Sequence, residues 1–252
     1  MLHLVNQILD FRKIQNKKMK MQVQRVDVVS FVRRIMDNFE SLSEEHSIDF
    51  LFETEKDELY LWVDEDKLEK IVFNLLSNAF KYTPDGKKIQ IYIEEQADSI
   101  FIHIKDEGTG IKKEKQETIF QRFETLAQNN IHNTLSSGIG LSVAKEFVEM
   151  HHGSISVESE PGAGSTFTVK LLKGKVHYPD DTEYILSDLS ENTTTIYTID
   201  DQQKDLDATD KLLMLIVEDN HELRTFIRQI FQDQFRLIEA DNGEDGLQKA
   251  FL

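Results

Sequence analysis

Asn74, Asn78 and Lys81 recur at i, i+4 and i+7 within the stretch 74–82, so a helix there shows all three on one face. An asparagine amide oxygen suits Mg²⁺, a hard cation that takes oxygen ligands, and a lysine ammonium two turns along offsets phosphate charge. Two glycine-rich turns follow, Asp106-Glu-Gly108-Thr-Gly110-Ile111 and Ser137-Gly138-Ile-Gly140-Leu141. A polar helical face followed by two such turns makes a nucleotide the expected ligand. Any one of these features alone is weak: polar residues on a helix are usually just solvated, and a glycine turn after a strand is common.

The positioning elements must come from a chain of 252 residues with 39% hydrophobic content, enough for a packed core. No run of about 18 apolar residues exists, and the start Met-Leu-His-Leu-Val-Asn lacks the basic flank and apolar stretch of a signal peptide. A soluble chain that neither spans a membrane nor carries a secretion signal is therefore expected. Zero cysteines exclude disulfides and thiolate zinc sites and are compatible with a reducing cytoplasm. The net charge of −17 argues against DNA as a direct partner, since phosphate backbones are held by an excess of Lys and Arg.

Residues 1 to about 20 read as the end of a helix, with Leu2, Val5, Ile8 and Leu9 on a narrow apolar stripe too short to stand alone. It fits the remnant of a helix hairpin, with a solvated helix on its own domain as the alternative. From Val26 to Leu172 the pattern is α/β. Ser30 is the expected cap of a helix to about Glu45, strands follow at 48–52 and 59–63, and Asp64 caps the helix bearing Asn74, with Leu68, Ile71, Val72, Leu75 and Leu76 inward. Strands at 88–94 and 99–105 deliver Asp106. A short helix near 114–123 precedes the polar stretch 124–137, which reads as a mobile lid. A helix from Gly138 to His152 closed by Gly153, then strands at 154–158 and 165–172, complete an α+β two-layer sandwich. Residues 174–211 are acidic and read as a linker, the alternative being that 184–189 and 195–199 dock as short elements. At Leu212 a buried-type strand begins and ends in Glu218-Asp219 before a helix capped by Asn220. A second strand at 235–240 leads to Asn242-Gly243 and another helix, the opening of a doubly wound α/β domain that then stops.

Strung together, Asn74-x-x-x-Asn78-x-x-Lys81-Tyr82, Asp106-x-Gly108-x-Gly110, Phe120-x-x-Phe123, Gly138-x-Gly140-Leu141 and Gly162-x-Gly164-Ser-Thr166 resemble the ATP-binding domain of sensor histidine kinases. The resemblance implies ATP and Mg²⁺ as cofactors and the two-layer sandwich of the histidine kinase, gyrase and chaperone ATPases as the fold. It implies that Asn78 holds the ATP-bound Mg²⁺, that Asn74 and Lys81 serve phosphoryl transfer, and that Asp106 accepts the adenine amino group. Gly108 and Gly110 would let backbone approach base and ribose. Tyr82 would stack on the purine or belong to the core. Phe120 and Phe123 would anchor the lid, Gly138, Gly140 and Leu141 would meet the phosphates at a helix start, and Thr166 would help order the adenine carboxylate. One departure lies in the lid, where Ser136 stands in place of the family's usual glycine. Gyrase-type and chaperone-type relatives carry a glutamate base four residues before the metal asparagine; this chain has Asn74 there, which cannot take a proton from water and favours a kinase over a hydrolase.

No acceptor histidine is evident. His221-Glu-Leu-Arg-Thr225 mimics the family's acceptor segment but lacks its proline, follows the ATP domain and sits behind Glu218-Asp219, a context resembling a receiver domain whose acidic pair helps to bind Mg²⁺. His3 falls in a segment resembling the second hairpin helix. The order of hairpin end (1–25), catalytic domain (26–173), acidic linker (174–211) and truncated receiver start (212–252) resembles hybrid two-component sensor kinases, particularly the one-polypeptide type of gut Bacteroidetes. That family implies a homodimer, a fuller kinase chain and a receiver as partners, and a cytoplasmic location beneath an inner-membrane anchor. A catalytically silent ATP-binding module and a serine-directed kinase of the anti-sigma type are the alternatives.

Overall fold

The computed structural model describes residues 14, 19–121, 139–180, 182–185, 212–219, 221–232 and 235–250, which fall into two units. The stretch 124–137, along with Phe123, Gly138 and Asn220, lies outside the described residues.

In the first unit, β1 (Gln22–Asp27) leads directly into α1 (Val28–Asp37), followed by α2 (Glu40–Glu45), β2 (Asp49–Thr54) and β3 (Tyr60–Val63). The strand β1 was not legible in the sequence; it pairs antiparallel with β3, Val26 opposite Leu61. The cap of α1 is Asp27 and not Ser30. Its carboxylate accepts from Val29 N and Ser30 N, both at 3.3 Å, and also from Leu59 N at 2.9 Å, so one side chain both starts the helix and ties it to the approach of β3. Asp64 caps α3 (Glu65–Tyr82) as expected, and Leu68, Ile71, Leu75 and Leu76 are fully buried along it. Each such side chain contributes about 1.5–3 kcal/mol of apolar burial.

After β4 (Lys88–Glu95), β5 (Ser99–Asp106), α4 (Lys113–Gln116), α5 (Gly140–Met150), β6 (Ser154–Glu160) and β7 (Gly164–Leu172), the main sheet is ordered β2-β4-β5-β7-β6, with β2 parallel to β4 and the other pairs antiparallel. Strand alternation sends Ile89, Ile91, Ile100, Ile102, Ile104, Phe167 and Val169 into the core beneath the helices. The opposite face carries Tyr92 stacked on His103 at 4.1 Å. The two layers are the α+β sandwich expected from the sequence. At the end of α5 the left-handed residue is His152, φ 57°, and not Gly153. Gly153 is required for space, since a Cβ there would lie 2.3 Å from the Lys170 carbonyl oxygen.

The first part of the segment read as a linker is packed. Tyr178 is buried and donates to the Trp62 carbonyl at 2.8 Å, and β8 (Glu183–Tyr184) runs parallel to β1, with Ile185 N donating to Val23 O at 3.0 Å. Tyr184 and Ile185 dock as the alternative to a linker expected, whereas the contact of Tyr178 was not legible in the acidic composition. The second unit contains β9 (Leu213–Val217), α6 (His221–Phe231), β10 (Arg236–Ala240) and α7 (Gly243–Lys249), the strands parallel with Leu213 opposite Arg236. Asn242 caps α7 by accepting from Asp245 N at 2.8 Å.

Candidate functional site

The last turns of α3 and the C-terminal end of β5 line a partly open pocket. Among the described residues its lining includes the expected Asn78, Tyr82, Asp106, Gly110 and Leu141, joined by Thr109, Ile111, Ser165 and Phe167. The lining is mostly apolar, with Ile111, Leu141 and Phe167 contributing, and Asn78 adds an amide to it.

Asp106 is the last residue of β5 and is buried at 5% exposure. Its Oδ1 accepts from Gly108 N at 2.8 Å and from Ser165 N at 3.2 Å, and among the described residues no hydrogen bond engages Oδ2. Burial pushes its pKa above the ordinary carboxylate value, and the two backbone donors oppose that shift only in part. The result is a desolvated acceptor, fixed in direction, on the lining of the cavity. It is matched to an N–H donor such as an exocyclic amine.

The glycines act on this carboxylate through packing. A Cβ at Gly108 would lie 2.6 Å from both Asp106 Oδ1 and the Tyr82 carbonyl oxygen, and Thr109 N donates to that same carbonyl at 3.1 Å. Gly110 has φ +66° and a Cβ there would fall 1.9 Å from the Glu160 carbonyl oxygen. The turn is thus pressed onto the β6–β7 hairpin, where Ser159 Oγ accepts from Ile111 N at 2.8 Å and donates to Gly164 O at 2.7 Å. Room for a ligand was the sequence-based reason for these glycines; the structure shows that protein backbone fills the space.

Other expected residues lie beside the cavity. Asn74 is buried one turn before Asn78 on α3. Lys81 is half-buried with its ammonium 5.6 Å from the Tyr82 ring, and burial pulls its pKa below the ordinary lysine value, a state that a bound anion would reverse. Gly140 is the first residue of α5, whose cap residue Ile139 gives no side-chain cap. Thr166 is a correction: strand alternation turns it to the opposite face of the sheet, and its neighbour Ser165 is the residue that donates to Asp106. Serine and threonine stand side by side in the sequence, and only strand register tells which faces in. Glu69, the carboxylate nearest upstream of Asn74, is half-buried among Asp66, Arg34 and Glu65; it is nine residues before Asn78, about 13 Å along the axis, too far for a base at that amide. In the second unit Glu218 is buried at the end of β9, its N donating to Ala240 O at 3.0 Å, with Asp219 next to it.

A two-layer sandwich that places an asparagine-bearing helix and a buried strand-end aspartate around one cavity defines an ATP-binding catalytic domain. Residues 63–175 match the family described as histidine kinase-, DNA gyrase B-, and HSP90-like ATPase. The chain is 34% identical to histidine kinase P4 of Formosa agariphila across 99% of its length, and 33% identical to sensor histidine kinase TmoS of Ectopseudomonas mendocina across 98%. It spans 19% and 26% of those two proteins. The solved catalytic domain of histidine kinase ThkA is similar at 27% identity and a TM-score of 0.55, covering 61% of this chain and 97% of that one. Full-length ShkA, at 19% identity, shares the fold over 98% of this chain and 47% of its own, with a TM-score of 0.60.

Proposed function

We propose that this chain carries the ATP-dependent step of a protein-histidine kinase, transferring the γ-phosphoryl to a histidine on a dimerisation helix and onward to a receiver aspartate. The observation that carries the reading is the buried Asp106, with one oxygen held by two amides, on a cavity that Asn78 also lines. Asp106 binds and orients the adenine, and Tyr82 with the apolar lining excludes water from it. Asn78 fits a Mg²⁺ ion that arrives with its triphosphate. Its amide oxygen is a hard donor, and among the described residues no group of three acidic or imidazole side chains forms a separate metal site. Such an ion would neutralise developing phosphate charge, and Lys81 and the start of α5 would hold the remaining oxygens. With an amide at Asn74 in place of a base, the γ-phosphoryl is kept for an attacking imidazole.

The acceptor imidazole would come from a fuller kinase chain working as a homodimer. The acidic segment followed by a parallel βαβ unit ending one strand in Glu218-Asp219 supports a hybrid arrangement with a receiver, of the Bacteroidetes one-polypeptide type, with these acids as part of a receiver Mg²⁺ site. A cytoplasmic location under an anchored parent follows from that reading; among the described residues no helix is long and apolar enough to cross a membrane. The test is to add labelled ATP and Mg²⁺ to the chain, alone and with a separate dimerisation hairpin bearing its histidine. Acid-labile phosphate on the hairpin supports the proposal. Nucleotide uptake without transfer points to a silent module, acid-stable phosphate to a serine-directed kinase, and acid-labile phosphate on His3 or His221 refutes the assignment of the acceptor.

A further inference from the structure

The helices α3 and α5 contribute to the cavity from matching ends: Asn78 and Tyr82 stand near the C-terminus of α3, Leu141 near the N-terminus of α5. Their other ends meet in a buried polar junction. The Asp64 backbone N–H, at the cap of α3, donates to His151 Nε2 at 3.0 Å, at the cap of α5. His151 is 1% exposed, and its Nδ1 lies 2.7 Å from the Phe147 carbonyl oxygen. A carbonyl can only accept, so Nδ1 carries the proton and Nε2 offers its lone pair. The ring is therefore neutral, in agreement with burial holding its pKa below the ordinary histidine value.

The Asp64 carboxylate is occupied at the same time. Oδ1 accepts from Lys67 N at 3.2 Å, and Oδ2 accepts from Lys67 Nζ at 2.5 Å and from Gln22 N of β1 at 2.8 Å. Both carboxylate oxygens of Asp64, its backbone N–H and both ring nitrogens of His151 thus have a hydrogen-bond partner. Elsewhere the inward surfaces of α3 and α5 are mainly apolar, with Ile71, Leu75, Val143 and Phe147 beside the buried Asn74 and Ser142. Apolar contact is non-directional and leaves the axial register of two helices weakly specified, whereas a buried hydrogen bond specifies it.

We infer that the Asp64–His151 junction positions the nucleotide site by fixing the axial register of α3 against α5, which sets where Asn78 stands relative to Leu141 and the start of α5. His151 is a positioning residue and touches no ligand. Asp64 and Asn78 are fourteen residues apart, about 21 Å along one rigid helix. A slip of about 1 Å at the junction is carried along that rod to the cavity, and a misplacement of that size can cost about 100-fold in the rate of a positioned reaction.

This inference rests on the nucleotide reading, and Mg·ADP uptake by calorimetry separates the two. His151→Leu removes both ring contacts; His151→Asn keeps a donor toward Phe147 but is too short to reach Asp64; His151→Gln restores an acceptor at the Nε2 position. With all proteins held well below their unfolding midpoints, Leu and Asn are expected to weaken Mg·ADP binding about 10-fold and Gln to return it to within threefold of the unsubstituted chain. Should the Leu variant fail to fold, the Asn and Gln pair gives the same comparison. Folded Leu or Asn variants that bind as well as the parent, or a Gln variant as weak as Leu, overturn the positioning role. A parent chain that takes up no Mg·ADP overturns the nucleotide reading itself, and this inference with it.

Discussion

Replacing Asp106 by Asn separates recognition from stability, because the two respond with opposite sign. The donors Gly108 N at 2.8 Å and Ser165 N at 3.2 Å both require an acceptor, so the new amide must keep its oxygen toward them and turn its NH₂ to the position of Oδ2. An acceptor becomes a donor. An adenine amino group there loses a hydrogen bond to a charged partner, about 1.5–3 kcal/mol, or about 10- to 150-fold in affinity. A purine with an oxygen at that ring position gains an acceptable partner, so the preference for ATP over ITP narrows or reverses. The fold moves the other way. The native pKa of Asp106 is raised by burial, so folding favours its protonated form; that contribution is full below the unfolded value near 3.8 and disappears as pH rises through the native value. Where the carboxylate is ionised it therefore weighs against the fold, and the neutral amide relieves it. Calorimetry with Mg·ATP and Mg·ITP, together with urea melts at pH 7, reads both effects. An Asp106→Asn chain that binds ATP within twofold of the parent, or that melts at clearly lower urea, refutes the reasoning.

Three further outcomes are expected. Lowering the pH through the raised pKa of Asp106 weakens Mg·ADP uptake at a higher pH than an ordinary aspartate would, and the acid limb is shallower in Asp106→Asn; equal limbs in titrations of both proteins count against it. Gly110→Ala costs more stability than Gly162→Ala, since both have positive φ, worth about 1–2 kcal/mol of strain, but only the Cβ at residue 110 meets backbone, 1.9 Å from Glu160 O; reversed urea midpoints contradict this. Trp62 is the single tryptophan, and the Lys175 ammonium lies 3.4 Å from its ring, so Lys175→Met shifts the emission of the folded chain and costs about 0.5–2 kcal/mol; an unchanged spectrum would show that the segment after β7 is not docked.

The sequence by itself determined the helix α3 and its inward face, because Asp64 caps it and Leu68, Ile71, Leu75 and Leu76 keep one stripe through eighteen residues. That Asn78, Tyr82, Asp106, Gly110 and Leu141 belong to one site came from the resemblance of their motifs to the sensor histidine kinases, and all five line the same pocket. Tertiary structure decided which residue at the start of β7 serves Asp106, the backbone N–H of Ser165 donating to its carboxylate. Ser165 and Thr166 differ only in the face they take, and that face is fixed by pairing of β7 with β5, with Ser165 opposite Asp106. It also decided that Asp27 rather than Ser30 starts α1, because a carboxylate that also reaches Leu59 N gains a partner across 32 residues that no local pattern displays. The same holds for β1, which exists through its pairing with β3, and for His151, whose partner Asp64 is 87 residues away. Contacts of that kind are set by packing of distant elements, so short-range periodicity carries no trace of them.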